Sequence, residues 1–135
     1  MFSVLGIDHV VLRTQNVDGL LEFYTVVLGC PLERQLAEYG LFQFRAGQSL
    51  IDLIDVDGPL GKVGGEAPGR TGRNVDHFCL RIDPFDADDI RSHLDTHDVS
   101  YGDVEERYGA EGNGPAIYIE DPDGNTVELK GPGAI

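Results

Sequence analysis

A stretch of eight residues occurs twice in this chain, and the repetition constrains the fold more than any other feature. IDHVVLRT at 7–14 aligns with VDHFCLRI at 75–82, with identical residues at four of the eight positions. A repeat of this kind indicates two copies of one structural unit. At 135 residues the chain is long enough for one domain, whereas two isolated modules would each bury too little surface to be stable. We therefore expect two modules that share a core.

The segments after the two octapeptides have the pattern of helices. After the first copy, Asn16 or Asp18 is a candidate N-cap, apolar residues recur at helical spacing, and Gly29 supplies the C-terminal stop. After the second copy, Asp83 or Asp86 is the candidate N-cap of a helix whose first turn is acidic, which suits the positive end of the helix dipole. Each module is expected to begin as a strand followed by a helix.

Three strand-like runs follow each helix. They lie at 31–38, 41–46 and 49–55 in the first half and at 100–107, 116–120 and 125–130 in the second. The last two runs are joined by DPDGN, in which Pro122 and Gly124 are typical of a hairpin turn. The segment YGAEGNGP at 108–115 is predicted to be a loop. The predicted fold class is α+β, with two βαβββ modules.

A glycine-rich segment separates the modules. Residues 56–74 contain six glycines and two prolines in nineteen positions, a composition typical of a linker or a mobile loop. A connection of this length is long for a compact domain, so we expect either a functional lid or a spacer that permits more than one arrangement of the modules. The predicted organisation is one domain over 1–135, made of module 1 (5–55), the linker (56–74) and module 2 (75–131).

Charge and composition exclude several classes of function. The formal net charge is −14, with 24 carboxylates against 10 Lys and Arg, so no nucleic-acid partner is expected. No apolar run approaches the roughly 20 residues needed to cross a bilayer, and the N-terminus lacks a signal peptide. We therefore expect a cytoplasmic protein without a membrane partner. Cys30 and Cys79 are too few for a disulfide framework and are expected to be reduced.

The repeat brings matching polar residues onto matching strands. Alternate side chains of a strand share a face, so His9 and His77 occupy equivalent positions on the first strands of the two modules. SLIDLI at 49–54 aligns with NTVELK at 125–130, which makes Asp52 equivalent to Glu128. Two imidazoles with one or two carboxylates suit Fe(II), Mn(II), Zn(II), Ni(II) or Co(II). The pattern predicts a divalent metal site to which both modules contribute.

Each of these residues also has a structural interpretation. A single histidine at a strand end is more often a hydrogen-bonded structural residue than a ligand. Glu128 is also compatible with a solvated edge charge, and Asp52 with an ion pair to Arg13, Arg45 or Arg81. The equivalence of the positions in the repeat favours the metal interpretation for His9, His77 and Glu128, and leaves Asp52 open.

The chain resembles the vicinal-oxygen-chelate superfamily, which includes glyoxalase I, extradiol dioxygenases, methylmalonyl-CoA epimerase, and fosfomycin- and bleomycin-resistance proteins. The resemblance runs from IDHVVL through FYTVVLGC to AIYIEDPDGNTVELKG, and its most specific parts are the FY and LG of the helix end and the DPDGN hairpin. It implies a glyoxalase-like fold, in which paired βαβββ modules form a curved mixed sheet around a metal. A fold of this kind hosts several chemistries, so the resemblance identifies the substrate poorly.

The resemblance implies roles for individual residues. His9, His77 and Glu128 match the family's two histidines and C-terminal glutamate as metal ligands. Asp52 stands where glyoxalase-type members have a fourth ligand, a glutamate, and it is one methylene shorter. It is thus expected to bind through water, to act as a base, or to do neither. Without it, the set of two histidines and one carboxylate suits Fe(II) oxygenases.

The mechanism common to the superfamily places a substrate with two adjacent oxygens on the metal, which acts as a Lewis acid. Glu128 or Asp52 would move the proton in an isomerase or lyase. Arg81 and Arg107 are candidates for binding a substrate anion. Cys79 shares the face of His77 but is expected to be a small core residue.

Three functions remain open from the sequence. The first is a divalent-metal-dependent enzyme of glyoxalase or dioxygenase type that acts on a small oxygenated substrate. The second is a non-catalytic, drug-sequestering protein of the bleomycin-binding type. The negative net charge of the chain would favour the binding of a cationic drug. The third is a thiol transferase of the fosfomycin type. Because open sheet edges are costly to expose, a homodimer is expected, with or without exchange of modules between chains.

Overall fold

The computed structural model describes residues 1–133. The chain divides into two compact units, Met1–Asn74 and the part from Val75 onward. Each unit contains one copy of the octapeptide and forms its own four-stranded sheet. In residues 1–133, no helix is long and apolar enough to cross a membrane.

The first unit has the predicted order of elements. Its elements are β1 (His9–Thr14), α1 (Val17–Glu22), β2 (Leu32–Leu36), β3 (Leu41–Ala46) and β4 (Ser49–Asp55), and one π-helical turn at Phe23–Val27 extends α1. The strand order is β1-β4-β3-β2. β1 runs parallel to β4, and the other neighbours are antiparallel. Asn16 is the N-cap of α1, since its Oδ1 accepts a hydrogen bond from the Gly19 N–H; the alternative cap, Asp18, lies inside the helix.

The core of the first unit lies between one face of the sheet and the helix. Leu12, Phe44 and Leu53 on the strands and Leu20 and Tyr24 on the helix are fully buried. The Tyr24 and Phe44 rings stack with their centroids 5.8 Å apart. Because alternate residues of a strand face opposite sides, Asp52 and Gln43 lie on the other face of the sheet, together with Val11.

The glycine-rich segment is bound to β1. The guanidinium group of Arg13 donates hydrogen bonds to the backbone carbonyls of Gly61, Gly65 and Glu66 at 3.0, 2.8 and 2.9 Å. The side chain of Asn74 accepts from the Arg13 N–H at 3.0 Å and donates to the Arg13 carbonyl at 2.9 Å, so it extends the edge of the sheet as a strand would. The middle of the segment and its last residue are therefore both bound to Arg13.

The second unit repeats the topology of the first. Its elements are β5 (Phe78–Arg81), α2 (Ala87–Thr96), β6 (Glu105–Gly109), β7 (Gly112–Glu120) and β8 (Thr126–Lys130), in the strand order β5-β8-β7-β6. Asp86, not Asp83, is the N-cap of α2, because its side chain accepts from the Asp89 N–H. The prediction of two βαβββ modules is confirmed.

Two sequence-based boundaries in the second unit are wrong. β6 begins at Glu105, whereas a strand was expected from residue 100, and most of the predicted loop at 108–115 belongs to β6 and β7. Tyr108 pairs with Asn113 in the ladder, and the chain reverses at 110–111. Gly112 has φ +89°, so the glycines that suggested a loop permit a tight hairpin instead.

The DPDGN hairpin forms as predicted. Oδ1 of the buried Asp121 accepts from the backbone N–H groups of Asp123 and Asn125 at 3.0 and 2.9 Å. Its Oδ2 accepts from the side-chain amide of Asn125 at 2.8 Å. Gly124 adopts φ +81°, a value that favours glycine. This turn fixes the start of β8, the strand that carries Glu128.

Candidate functional site

Glu128 lies at the centre of the polar face of the second sheet. It is buried on β8 and pairs in register with Cys79 on one side and Tyr118 on the other. His77 directly precedes β5, and its Nε2 lies 3.5 Å from Glu128 Oε1. Its other ring nitrogen, Nδ1, lies 2.6 Å from Oδ2 of Asp76. The second unit thus pairs an oriented imidazole with a buried carboxylate.

The first unit carries an equivalent pair. Asp52 is buried on the central strand β4, next to Val11 on β1 and Gln43 on β3. His9 opens β1, and its Nδ1 lies 2.7 Å from Oδ1 of Asp8. The hydrogen bond that His9 donates to the Asp8 carboxylate and the negative charge of Asp52 raise the pKa of His9 above its usual value. The electrostatic effect of Asp52 on His9 is consistent with their places on one face of the sheet.

Asp52 is only half satisfied by the protein. The residue is 4% exposed, and its Oδ2 accepts a hydrogen bond from the Gln43 side chain at 3.2 Å. Its Oδ1 is buried without a hydrogen-bond partner among residues 1–133. A buried carboxylate oxygen without a partner is energetically costly unless a water, an ion or a ligand binds it.

The predicted arginine partners of Asp52 are engaged elsewhere. Arg13 binds the carbonyls of the glycine-rich segment, as described above. Arg45 pairs with Glu33 through two hydrogen bonds of 2.8 and 2.7 Å, and Arg81 pairs with Glu111 at 2.5 Å. The alternative of a structural ion pair at Asp52 is therefore wrong for these arginines.

The donor chemistry of the two pairs fits a divalent metal. Within residues 1–133, no three His, Cys, Asp or Glu side chains form a ready metal-binding group. Each unit instead presents two donors, an imidazole Nε2 and a carboxylate. In both units the Nδ1 contact to the preceding aspartate leaves Nε2 for a ligand, an arrangement that metal-bound histidines usually have.

Cys79 is next to Glu128 but is not a nucleophile at neutral pH. Cys79 is exposed, so the expectation of a core residue is wrong. Partial desolvation on the face of the sheet and the nearby Glu128 carboxylate nevertheless raise the pKa of its thiol to about 11. At neutral pH the group is therefore protonated, and the thiolate is the reactive form. Cys30 is also a free thiol, and it is buried.

Arg81 and Arg107 lie on the same sheet as Glu128, on β5 and β6, but are bound by carboxylates of the chain. Arg81 donates to Glu111 and to the Ile82 carbonyl, each at 2.5 Å. Arg107 pairs with Glu105. Its guanidinium also lies over the ring of Tyr118, 5.2 Å from the centroid.

Sequence reasoning missed four residues around the two pairs. Asp8 and Asp76 orient the histidines, Gln43 binds Asp52, and Tyr118 packs edge-on against His77 with ring centroids 5.5 Å apart. Burial and the carboxylate of Glu128 raise the pKa of Tyr118 above its usual value. The two aspartates could have been found from the sequence, because an aspartate directly precedes the histidine in each copy of the octapeptide. Gln43 and Tyr118 had none, since their roles depend on strand register.

A surface cleft in the second unit lies outside this group. It has a volume of about 370 Å³ and is lined by Val104, by residues of β6 and β7, and by Pro132 and Gly133. None of the predicted site residues lines it.

The chain belongs to a known superfamily. The family model for the Glyoxalase/Bleomycin resistance protein/Dioxygenase superfamily matches residues 6–129. This match spans both copies of the octapeptide and all eight strands except the last residue of β8. The glyoxalase-like α+β fold expected from the sequence is confirmed.

Solved structures with the same fold include proteins with different named functions. A virulence protein from Salmonella typhimurium is 24% identical, with 97% of this chain and 99% of that chain covered and a TM-score of 0.77. A lactoylglutathione lyase from Agrobacterium tumefaciens is 22% identical, with 95% and 94% covered and a TM-score of 0.68. An antibiotic binding protein from Streptomyces is 20% identical, with 98% and 100% covered and a TM-score of 0.72. No curated protein sequence matches the chain. At these identities, the similarity concerns the fold.

Proposed function

We propose that the protein is a divalent-metal-dependent enzyme of glyoxalase or dioxygenase type, with His9, His77 and Glu128 as metal ligands. Its substrate is a small molecule that binds the metal through two adjacent oxygens. The observation that supports this most directly is the duplicated Asp–His contact. Asp8 and Asp76 hold Nδ1 of their histidines at 2.7 and 2.6 Å, so both imidazoles have their Nε2 atoms oriented and available.

The burial of the carboxylates supports the same proposal. Glu128 is buried, and its described polar neighbours include a thiol, a phenol and the His77 imidazole. A buried carboxylate without a cationic partner is unfavourable, and a metal ion would compensate its charge. In the first unit, a metal ion or a water bound to it would likewise compensate the unpartnered Oδ1 of Asp52.

Each residue has a proposed role in the reaction. A metal held by His9, His77 and Glu128 would supply Lewis-acid stabilisation of negative charge on the substrate oxygens. Asp52 Oδ1 has a free lone pair in a buried position, and it is the proposed acceptor of a substrate proton, with Gln43 holding its other oxygen. Glu128 serves as a ligand and, in an isomerase, as the second proton carrier. Arg81 and Arg107 are proposed substrate-binding groups that exchange Glu111 and Glu105 for a substrate anion.

Metal analysis tests the proposal directly. Protein purified without chelators is expected to contain about one ion of Fe, Mn, Zn, Ni or Co per chain. Inductively coupled plasma mass spectrometry measures this content. His9→Ala, His77→Ala and Glu128→Gln are expected to lose it. His93→Ala and His97→Ala, which alter a histidine pair on and just beyond α2, are the matched controls and should keep it. A wild-type protein that stays metal-free after incubation with each ion would exclude the proposal.

A second candidate function is the sequestration of a drug without chemistry. It is supported by the structural similarity to an antibiotic binding protein and by the net charge of −14, which would attract a cationic drug. Micromolar binding of bleomycin by metal-free protein, retained in Glu128→Gln, would favour this function over the enzyme. Turnover of the hemithioacetal of methylglyoxal and glutathione, or of a catechol, would favour the enzyme.

We further propose that the protein is a homodimer. Mixing two inactive variants shows whether the ligands of one site come from one chain or two. If they come from two chains, Glu128→Gln mixed with His9→Ala regenerates one intact site per mixed dimer. If all ligands come from one chain, the mixture stays metal-free. Sedimentation at micromolar concentration measures the assembly itself, and a monomeric mass would refute the dimer.

A further inference from the structure

A buried lysine lies on the strand that carries Glu128. The chain has two lysines, Lys62 and Lys130, and Lys130 is 4% exposed. It ends β8 and pairs in register with Arg81 and Ala116. Residues two apart on a strand share a face, so Lys130 and Glu128 lie on the same side of the sheet, with their Cα atoms about 7 Å apart.

Two glycines make room for this side chain. A Cβ atom on Gly114 would lie 2.9 Å from the Lys130 Nζ, and one on Gly109 would lie 3.0 Å from its Cε. Gly114 is on β7 and Gly109 ends β6, so the lysine lies along the sheet instead of extending into solvent. The carbonyl of Pro132 is against the same side of Gly114, where a Cβ would meet it at 2.5 Å.

The ammonium group has little to compensate its charge. Its hydrogen bond within the described chain is to the Gly131 carbonyl, at 3.5 Å. An ammonium has three donors, so this single long contact leaves most of its capacity unused. In residues 1–133, no carboxylate forms an ion pair with it. The carboxylate of Glu111 pairs with Arg81 at 2.5 Å, and this hydrogen bond is the main cause of the lowered pKa of Glu111; the charge of Lys130 lowers it less.

We infer that Lys130 binds an oxyanion, a carboxylate or phosphate group, of the substrate. A buried cation without a counter-ion is unfavourable, and a bound anion would supply what the protein does not. In a chain with a net charge of −14, an anion is attracted only where a specific cation receives it. Binding requires residues 131–133 to move away from Gly114, because the ammonium is almost inaccessible as it stands.

This inference rests on the proposed function and narrows it to a substrate class. The side of the sheet that carries Glu128 would receive the metal-binding oxygens, and Lys130 would receive an anionic group a few bonds away. The substrate is therefore an oxygenated small molecule with its own carboxylate or phosphate. Neutral diols and cationic drugs do not fit this arrangement.

The test compares anion binding with metal binding in the same samples. Wild type, Lys130→Gln, Lys130→Arg and Lys62→Gln are titrated with malonate and, separately, with inorganic phosphate by calorimetry, at constant ionic strength in chloride. We expect Lys130→Gln to bind the preferred anion at least tenfold more weakly, Lys130→Arg within a few-fold of wild type, and Lys62→Gln as wild type. The anion that binds more tightly identifies the group. Equal binding by wild type and Lys130→Gln, or no binding of either anion by wild type, would overturn the inference.

Metal content separates this result from the proposed function. Lys130→Gln is expected to retain the metal of the wild type while losing the anion, whereas His77→Ala should lose the metal. If Lys130→Gln does not fold, chemical acetylation of the lysines of the wild-type protein provides the alternative test. Malonate or phosphate should then slow the modification of Lys130 relative to Lys62, as measured by peptide mass spectrometry. An unchanged ratio would also overturn the inference.

Discussion

Oδ2 of Asp76 lies 2.6 Å from Nδ1 of His77, and this contact fixes which ring nitrogen of the histidine is available. The same contact recurs between Asp8 and His9 at 2.7 Å. A strand that needed a histidine only for packing would not require an aspartate before it in both copies. In the proposed site, the repeated element is therefore the Asp–His unit and not the histidine alone.

Replacement of Asp76 or Asp8 by Asn should weaken metal binding without removing a ligand. Loss of an orienting carboxylate behind a metal-bound histidine typically lowers metal affinity about 10- to 100-fold. Competition with a fluorescent zinc chelator measures the change. Asp103→Asn, an exposed residue between α2 and β6, is the control and should bind as wild type. Equal affinity in all three variants would show that the Asp–His contacts have no part in metal binding.

Asp52→Asn should have opposite effects with and without metal. In metal-free protein the variant removes a buried charge that has one hydrogen bond, so the free energy of unfolding should rise by about 1 kcal/mol. On addition of metal, the wild type should gain more stability than the variant if Asp52 binds the metal or its water. Denaturant unfolding with and without metal measures both terms, and Asp103→Asn is again the control. A variant that is less stable without metal would show that Asp52 has an unrecognised structural partner.

Most of the fold was predictable because the relevant signals are local. Asn16 and Asp86 cap their helices, and Asp121 closes the DPDGN turn, through contacts within a few residues along the chain. The histidines and carboxylates were identified through the repeat, which compares two parts of one sequence. The start of β6 was missed because its alternation is weak and because glycines suit both loops and tight hairpins.

The surroundings of the site were not predictable, because they depend on register between distant strands. Gln43 reaches Asp52, and Tyr118 reaches Glu128, only because β3 pairs with β4 and β7 with β8 in one specific register. The burial of Lys130 was not predictable for the same reason. A lysine at the end of a strand near the C-terminus is ordinarily exposed, and its burial depends on glycines that lie 16 and 21 residues earlier in the sequence, at 114 and 109.

The core of the second unit should depend strongly on α2. Leu94 is the fully buried residue of this helix, at 1% exposed, and Leu94→Ala should lower the free energy of unfolding by about 2–5 kcal/mol. Leu5→Ala, at a residue that is 98% exposed, removes the same atoms from the surface and should change it by less than about 0.5 kcal/mol. Urea unfolding followed by circular dichroism gives both values. Similar losses for the two variants would contradict the assignment of Leu94 to the core.

Arg13 should control the exposure of the glycine-rich segment. Its guanidinium binds three backbone carbonyls of the segment, and a Cβ on Gly64 would lie 2.5 Å from the Arg13 Cζ, so the segment fits closely around it. The segment contains Lys62, Arg70 and Arg73, which are sites for trypsin. Arg13→Ala should accelerate native-state cleavage at these sites by about tenfold or more, because cleavage follows the population of opened segment. Arg45→Ala, which removes an ion pair from the same sheet, is the control and should be cleaved there at the wild-type rate. Mass spectrometry of the fragments locates the cuts, and unchanged cleavage in Arg13→Ala would show that other contacts hold the segment.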